Sequence, residues 1–269
     1  MGWLDRLRMP GIRRLTAPPQ IDETLWGRVT SGLPFIAGLD KTSLRRLREL
    51  AEAFLRHKEF HGAGGFVITD EVALHVTVQA VLPLLHMPGT PRRLLAWYDD
   101  FVGIVMHPDE VVAQREIMDQ DGIVHRYQEV VAGEAMEGGP VMLSWRDAAE
   151  ACSSAERGYN VVIHEFVHKL DMRDGQSDGC PPLTGKAARR HWLSLMGREH
   201  AAFRQRVIEA ERFSQPQPWL DGYGAQSVDE FFAVAAEAYF VQRERFAQEF
   251  PALLDLFDGF FRPRDASAP

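Results

Sequence analysis

The spacing of apolar residues predicts two helices in the first third of the chain. Leucines recur at helical intervals through residues 40–57, after a polar start that suits a helix N-terminus. A second apolar run starts behind Thr69, whose hydroxyl can cap a helix, and ends near Leu82, where Pro83 follows. The glycine-rich stretch 62–65 separates the two runs and predicts a turn.

The hydrophobic pattern changes in the middle of the chain from helical spacing to short, strand-like runs. These runs predict strands at residues 101–106, 111–118, 123–131 and 140–144. The sequence Asp-Gln-Asp-Gly at residues 119–122 predicts a hairpin turn between the second and third of them. From about Arg146 the pattern is mainly helical again. Helices, a small sheet and further helices together predict an α+β fold.

The chain length sets the domain organisation that we expect. With 269 residues the chain can bury a full core, as one large domain or as two closely packed lobes. We predict a single domain over residues 1–261, with an N-terminal lobe at about 20–170 and a C-terminal helical lobe at about 171–261. The segment 262–269 is predicted to be a disordered tail.

Charge and composition disfavour several classes of binding partner. The formal net charge of −8 disfavours a general nucleic-acid-binding protein, which usually carries a basic excess. No apolar run approaches the ~18 residues of a membrane span, and the N-terminus has charged residues where a signal peptide needs an apolar stretch. The two cysteines are too few for a disulfide framework and fit reduced thiols. We therefore predict a cytoplasmic protein without nucleic-acid or membrane partners.

One predicted helix, residues 159–171, carries a cluster of polar side chains in an otherwise apolar sequence. His164 and His168 are four residues apart, so they lie one turn apart on one face and can share a tetrahedral zinc. Glu165 lies beside them, within reach of a water at such a metal. The apolar remainder predicts a buried helix, where these polar groups need a partner to offset their desolvation. A metal would be that partner; the alternative is that the two histidines form hydrogen bonds in the core.

A catalytic zinc also needs a third protein ligand and leaves its fourth position to water. No histidine follows His168 at the short spacing of the H-E-x-x-H-x-x-G-x-x-H class, so a carboxylate from a later helix is expected. Glu230 and Glu237, seven residues apart on one stripe of an apolar helix, are both candidates. Glu230 also has capping-box spacing from Ser227, which offers a purely structural interpretation. Asp171, one turn beyond His168, could orient a ligand imidazole or only occupy the last turn of its helix.

A longer set of residues resembles a known family. Residues 164–172, together with Tyr223 and residues 229–234, are similar to the Mlc titration factor A family, bacterial zinc-dependent peptidases related to the catalytic domain of anthrax lethal factor. Residues 133–135 and 139–145 are also similar to that family. The resemblance covers most of the chain and is weakest before about residue 30. It implies a zincin-like metallopeptidase within the α+β class, with the H-E-x-x-H sequence on an active-site helix.

The resemblance implies a role for each residue of the candidate site. One zinc ion per chain would be held by His164, His168 and Glu230, which is the gluzincin arrangement. Glu165 would act as general base and then as general acid, and Tyr223 would stabilise the oxyanion. The resemblance therefore favours Glu230 as third ligand over the carboxylate seven residues later.

The function that follows is that of a zinc-dependent metallopeptidase, an aminopeptidase that hydrolyses peptide substrates by a zinc-activated water. The resemblance also implies a regulatory role through binding of a Mlc-like transcriptional repressor. The alternative is a non-catalytic zinc-containing protein that sequesters such a repressor. Glu165 favours the enzyme, because a structural zinc normally has four protein ligands and needs no base. Glu134, or another acidic residue near the site, is a candidate to hold the free α-amino group of a substrate.

Overall fold

The computed structural model describes residues 21–118 and 124–263. Its helices, numbered in chain order, are α1 Glu23–Ser31, α2 Pro34–Ala37, α3 Lys41–His57, α4 Asp70–Ala80, α5 Pro91–Leu95, α6 Trp145–Ala149, α7 Ala151–Ser154, α8 Val161–Asp171, α9 Lys186–Phe213, α10 Val228–Val241, α11 Arg243–Glu249 and α12 Pro251–Phe261. Its strands are β1 Glu59–Gly62, β2 Gly103–His107, β3 Val111–Met118, β4 Val124–Val131, β5 Gly133–Ala135 and β6 Val141–Ser144. The α+β class is thereby confirmed.

Side-chain caps start the two helices that the sequence predicts in the first third of the chain. Asp40 precedes α3 and accepts hydrogen bonds from the backbone amides of Thr42 (2.8 Å) and Ser43 (3.0 Å). Thr69 precedes α4 and accepts one from the amide of Val72 at 3.2 Å. Both predicted helices are confirmed, whereas α1 and α2, which come before them, were not predicted.

Four strands form a mixed sheet in the order β1-β2-β6-β5. The first three are parallel, and β5 runs antiparallel to β6. Within the described residues β5 is therefore an edge strand. The strands predicted at 101–106 and 140–144 correspond to β2 and β6, but β1 was not predicted.

Strands β3 and β4 form a separate antiparallel pair, with Val111 opposite Val131 and Met118 opposite Val124. This pairing confirms the predicted hairpin partners. The predicted turn at 119–122 lies outside the described residues, as do residues 264–269 of the predicted tail.

Helix α8 lies at the centre of the fold, between α10, α4 and the strands β5 and β6. Each of its side chains is buried, because neighbours cover it on several sides. Buried apolar residues from both predicted lobes belong to one continuous cluster. Across the described ranges, none of the helices is long and apolar enough to cross a membrane.

Candidate metal centre

The two histidines of the H-E-x-x-H sequence lie side by side on α8. Asn160 caps this helix by accepting a hydrogen bond from the Ile163 amide at 2.9 Å. The four-residue spacing places the Nε2 atoms of His164 and His168 3.1 Å apart. Two ring nitrogens at this distance need a shared proton or a shared cation between them.

Helix α10 brings Glu230 to the same point. Its Oε2 atom lies 3.1 Å from Nε2 of His164 and 3.2 Å from Nε2 of His168. The Ser227 hydroxyl accepts a hydrogen bond from the Glu230 backbone amide at 3.4 Å, so Ser227 does cap this helix. The Glu230 side chain, however, extends to the histidines. The cap and the contact with the histidines therefore coexist.

The three side chains fit a zinc ion in both chemistry and spacing. Their ligand atoms all lie within 4.8 Å of one another. Two ligands at about 2.0–2.1 Å from a tetrahedral zinc are roughly 3.3 Å apart, close to the separations found here. Two imidazole nitrogens and one carboxylate oxygen are ordinary zinc donors, and three protein ligands leave one position open.

Glu237 lies on the other side of the His164 ring. Its Oε1 atom is 2.7 Å from Nδ1 of His164, and its Oε2 accepts a hydrogen bond from the Asn160 amide at 2.5 Å. Glu237 is only 1% exposed, so this contact is held within the core. A carboxylate on Nδ1 directs Nε2 towards the candidate metal position. Glu237 is thus the carboxylate that contacts Nδ1 of the His164 ring. Asp171, considered for such a role one turn beyond His168, accepts a hydrogen bond from the Gly179 amide at 2.9 Å, and among the described residues no hydrogen bond joins it to His168.

The side chain of Glu165 extends from α8 to strand β5. Its carboxylate accepts a hydrogen bond from the backbone amide of Ala135. Gly133 lies so close that a Cβ atom there would be 2.5 Å from Oε1 of Glu165, which explains why this position lacks a side chain. Burial raises the pKa of Glu165, and the positive charge of His164 and His168 only partly offsets this effect. A raised pKa suits a carboxyl group that accepts and then returns a proton.

The electrostatics of the site favour an ionised Glu230. Burial alone would lower the pKa of His164, but the carboxylates of Glu237 and Glu230 outweigh it and raise this pKa well above its ordinary value. Burial acts to raise the pKa of Glu230, yet hydrogen bonds from both histidines lower it well below the ordinary value. A divalent cation would replace the protons on the imidazoles and keep the same carboxylate as its partner.

A cavity of about 270 Å³ opens onto His164 and Glu165. Tyr223, in the short 3₁₀ turn Gly222–Ala225, lines this cavity, and its hydroxyl is 3.4 Å from Oε1 of Glu230. The acidic side chains of Glu110 and Asp221 also line the cavity. Glu134 does not, because successive residues of a strand face opposite sides and Gly133 faces Glu165.

Comparison with known proteins identifies the class. The family model of the glucose-regulated metallo-peptidase M90 matches residues 8–262, and the chain therefore belongs to this family of metallopeptidases. The chain is also similar to Mlc titration factor A of Salmonella gallinarum, Salmonella typhi and Salmonella paratyphi B. With each of them it is 32% identical over 233 residues, which cover 86% of this chain and 83% of the relative. The resemblance in the sequence is thus confirmed, and membership of a metallopeptidase family implies a bound metal.

Proposed function

We propose that the protein is a zinc-dependent peptidase with a zincin-like fold, in which His164, His168 and Glu230 hold one zinc ion per chain. The observation that carries this proposal is the convergence of their three ligand atoms within 4.8 Å, beside the buried carboxylate of Glu165. Family membership supports a metal, and the donor set and spacing favour zinc. We also propose that residues 1–261 form one catalytic domain.

The proposed reaction is hydrolysis of a peptide bond in the cavity beside Glu165. A bound zinc would polarise the scissile carbonyl and lower the pKa of water. Glu165 takes a proton from the attacking water and passes it to the leaving amine, a role that suits its buried carboxylate between His164 and strand β5. The hydroxyl of Tyr223 donates a hydrogen bond to the oxyanion that develops on the carbonyl oxygen.

The sheet edge and the charge of the cavity support a peptide with a free amino terminus as the substrate. An extended peptide can add alongside β5, which is one of the two edge strands of the described four-stranded sheet and contacts Glu165. The carboxylate of Asp221 in the cavity wall would attract a free α-ammonium group, whereas that of Glu110 is paired with Arg146 at 3.0 Å. We therefore propose aminopeptidase activity, with Asp221 in place of Glu134.

The test is hydrolysis of alanyl and leucyl aminopeptidase substrates by the zinc-loaded protein, beside the same substrates with an acetylated amino group. We expect the free-amine substrates to be cleaved and the acetylated ones to resist. Equal cleavage of both would overturn the aminopeptidase assignment but keep the peptidase. No cleavage of either, or of unstructured longer peptides, would contradict peptidase function.

Tyr223→Phe is expected to lower kcat about 100-fold, because it removes one hydrogen-bond donor to the oxyanion. The ring remains, so zinc content should stay at one per chain. Tyr159→Phe is the matched control, since Tyr159 lines the same cavity. Steady-state kinetics on both variants test this prediction. An equal loss of kcat in the two variants would show that Tyr223 has no specific role.

Glu237→Gln is expected to weaken zinc binding about 10- to 100-fold, because the variant loses the carboxylate that orients His164. Asp171→Asn, which changes the other buried carboxylate near the site, should leave the affinity nearly unchanged. Competition with a chromogenic chelator measures both constants. Wild-type affinity in Glu237→Gln would show that the contact with Nδ1 contributes nothing to metal binding.

A second function is favoured by the relatives, which carry the name Mlc titration factor A. We propose that this chain also binds a Mlc-like transcriptional repressor, which would place it in the cytoplasm. Size-exclusion chromatography of the two purified proteins tests this, with the Glu165→Gln variant included. Co-elution with both forms would support sequestration independent of cleavage, and separate elution would remove the proposal.

A further inference from the structure

A second charged side chain of α8 is buried beside the candidate site. Lys169 follows His168 directly and has no exposed surface. Its position four residues after Glu165 places the two side chains on the same face of the helix, one turn apart. Neither the metal centre nor the cavity includes it, so its burial needs a separate explanation.

The ammonium group of Lys169 has three hydrogen-bond acceptors, one for each of its protons. It donates to Oδ2 of Asp100 at 2.8 Å, to the carbonyl of Met136, and to the carbonyl of Gly139 at 3.0 Å. The phenyl ring of Phe101 lies 4.7 Å from the nitrogen and adds a cation–π contact. A fully buried ammonium is thus completely satisfied.

The two carbonyl acceptors bracket the turn that joins β5 to β6. This turn is closed by hydrogen bonds from the Gly139 amide to the Met136 carbonyl at 3.1 Å and from the Met136 amide to the Pro140 carbonyl at 3.3 Å. Lys169 therefore attaches the turn to α8, while Glu165 attaches the preceding strand through the amide of Ala135. The hairpin is fixed to the helix at two points, one turn of helix apart.

We propose that Lys169 is a positioning residue, which holds the β5–β6 turn on α8 and thereby sets strand β5 against Glu165. This inference rests on the proposed function in one respect: β5 is taken to be the strand beside which the substrate lies. A shift of this strand would move both the substrate and the amide that contacts Glu165. Misplacement of reacting groups by about 1 Å costs on the order of 100-fold in rate.

The test compares Lys169→Met with Lys58→Met in the full-length, zinc-loaded protein. Lys58 is a matched control, because it is also buried and contacts the same Phe101 ring, at 3.8 Å. Its ammonium donates to the carbonyls of Tyr98 and Phe101, and among the described residues no hydrogen bond joins it to the β5–β6 turn. Two properties are measured: hydrogen exchange of the amides of residues 133–139, and kcat and KM with an alanyl substrate.

We expect Lys169→Met to speed amide exchange in residues 133–139 at least about 10-fold while amides of α10 keep their protection. We expect kcat to fall about 10- to 100-fold at unchanged zinc content. Lys58→Met should leave both quantities near the wild-type values. Wild-type amide exchange in residues 133–139 of Lys169→Met, or an equal change in Lys58→Met, would overturn the proposal.

Failure of the proposed function and failure of Lys169→Met to fold can be told apart from failure of this proposal. If the wild-type protein cleaves no peptide, the proposed function fails, and hydrogen exchange alone still decides the role of Lys169. If Lys169→Met does not fold, the double variant Lys169→Met/Asp100→Asn removes both charges and is expected to show the same local exchange. If both of these variants fail to fold while Lys58→Met folds, Lys169 stabilises the whole fold, and the proposed local role is overturned.

Discussion

Glu165→Gln is expected to lower kcat about 10³-fold while one zinc ion per chain stays bound. Glutamine keeps the shape of the side chain but cannot take the proton from water. The three candidate metal ligands are unchanged in this variant, so its zinc affinity should match that of the wild type. Steady-state hydrolysis of an alanyl substrate, with the zinc content of both proteins measured, gives the result.

Glu134→Gln is the matched control for this experiment. It removes a carboxylate from strand β5, beside the residue that contacts Glu165, but from a side chain that does not line the cavity. Its kcat should stay close to wild type. If Glu165→Gln kept more than about a tenth of the wild-type kcat, Glu165 would not be the proton carrier.

Glu230→Ala is expected to abolish tight zinc binding and, with it, the stabilisation that zinc gives to the fold. A ligand that binds only the folded state raises the free energy of unfolding by about 4 kcal/mol at 1,000 times its dissociation constant. Thermal unfolding with and without zinc should therefore show a large rise of Tm in the wild type and almost none in the variant. Peptide hydrolysis should be lost at the same time.

Asp229→Asn supplies the control, because it changes the neighbouring acidic residue of α10. Asp229 accepts a hydrogen bond from the Ser177 hydroxyl at 3.0 Å and is not one of the three candidate ligands. This variant should gain stability from zinc as the wild type does. A zinc-dependent rise of Tm in Glu230→Ala equal to that of the wild type would remove Glu230 from the ligand set.

Local sequence signals predicted the parts of the fold that depend on near neighbours. The helices α3 and α4 follow from apolar spacing and from caps at Asp40 and Thr69, all within a few residues of one another. Strand β1 was missed because its four residues are too few to show a period, and its pairing with β2 joins distant residues.

In the candidate site, too, the sequence predicted the features that depend on near neighbours and not those that depend on packing. The spacing of His164 and His168 is a local feature, and it predicted that their nitrogens would converge. Spacing alone left both Glu230 and Glu237 open as third ligand, with Glu230 ahead, since both lie on one stripe of α10, and the resemblance then favoured Glu230. The packing of α10 on α8 gives them different positions, with one carboxylate at Nε2 and the other at Nδ1 of His164.

Two features of the site had weak signals in the sequence. Gly133 permits close approach of β5 to Glu165, but a single glycine in a short apolar stretch does not reveal its neighbour. Lys169 is buried among acceptors from residues 30 to 69 positions away in the chain. A lysine inside an otherwise apolar helix was the available signal, since such a residue must find partners.

The most direct test of the central claim is anomalous diffraction at the zinc absorption edge from crystals of the zinc-loaded protein. We predict one peak, at about 2.0–2.2 Å from Nε2 of His164, from Nε2 of His168 and from a carboxylate oxygen of Glu230, with no fourth protein ligand. A peak with four protein ligands would indicate a structural zinc. A peak elsewhere, or none at these three side chains, would contradict the proposed metal centre.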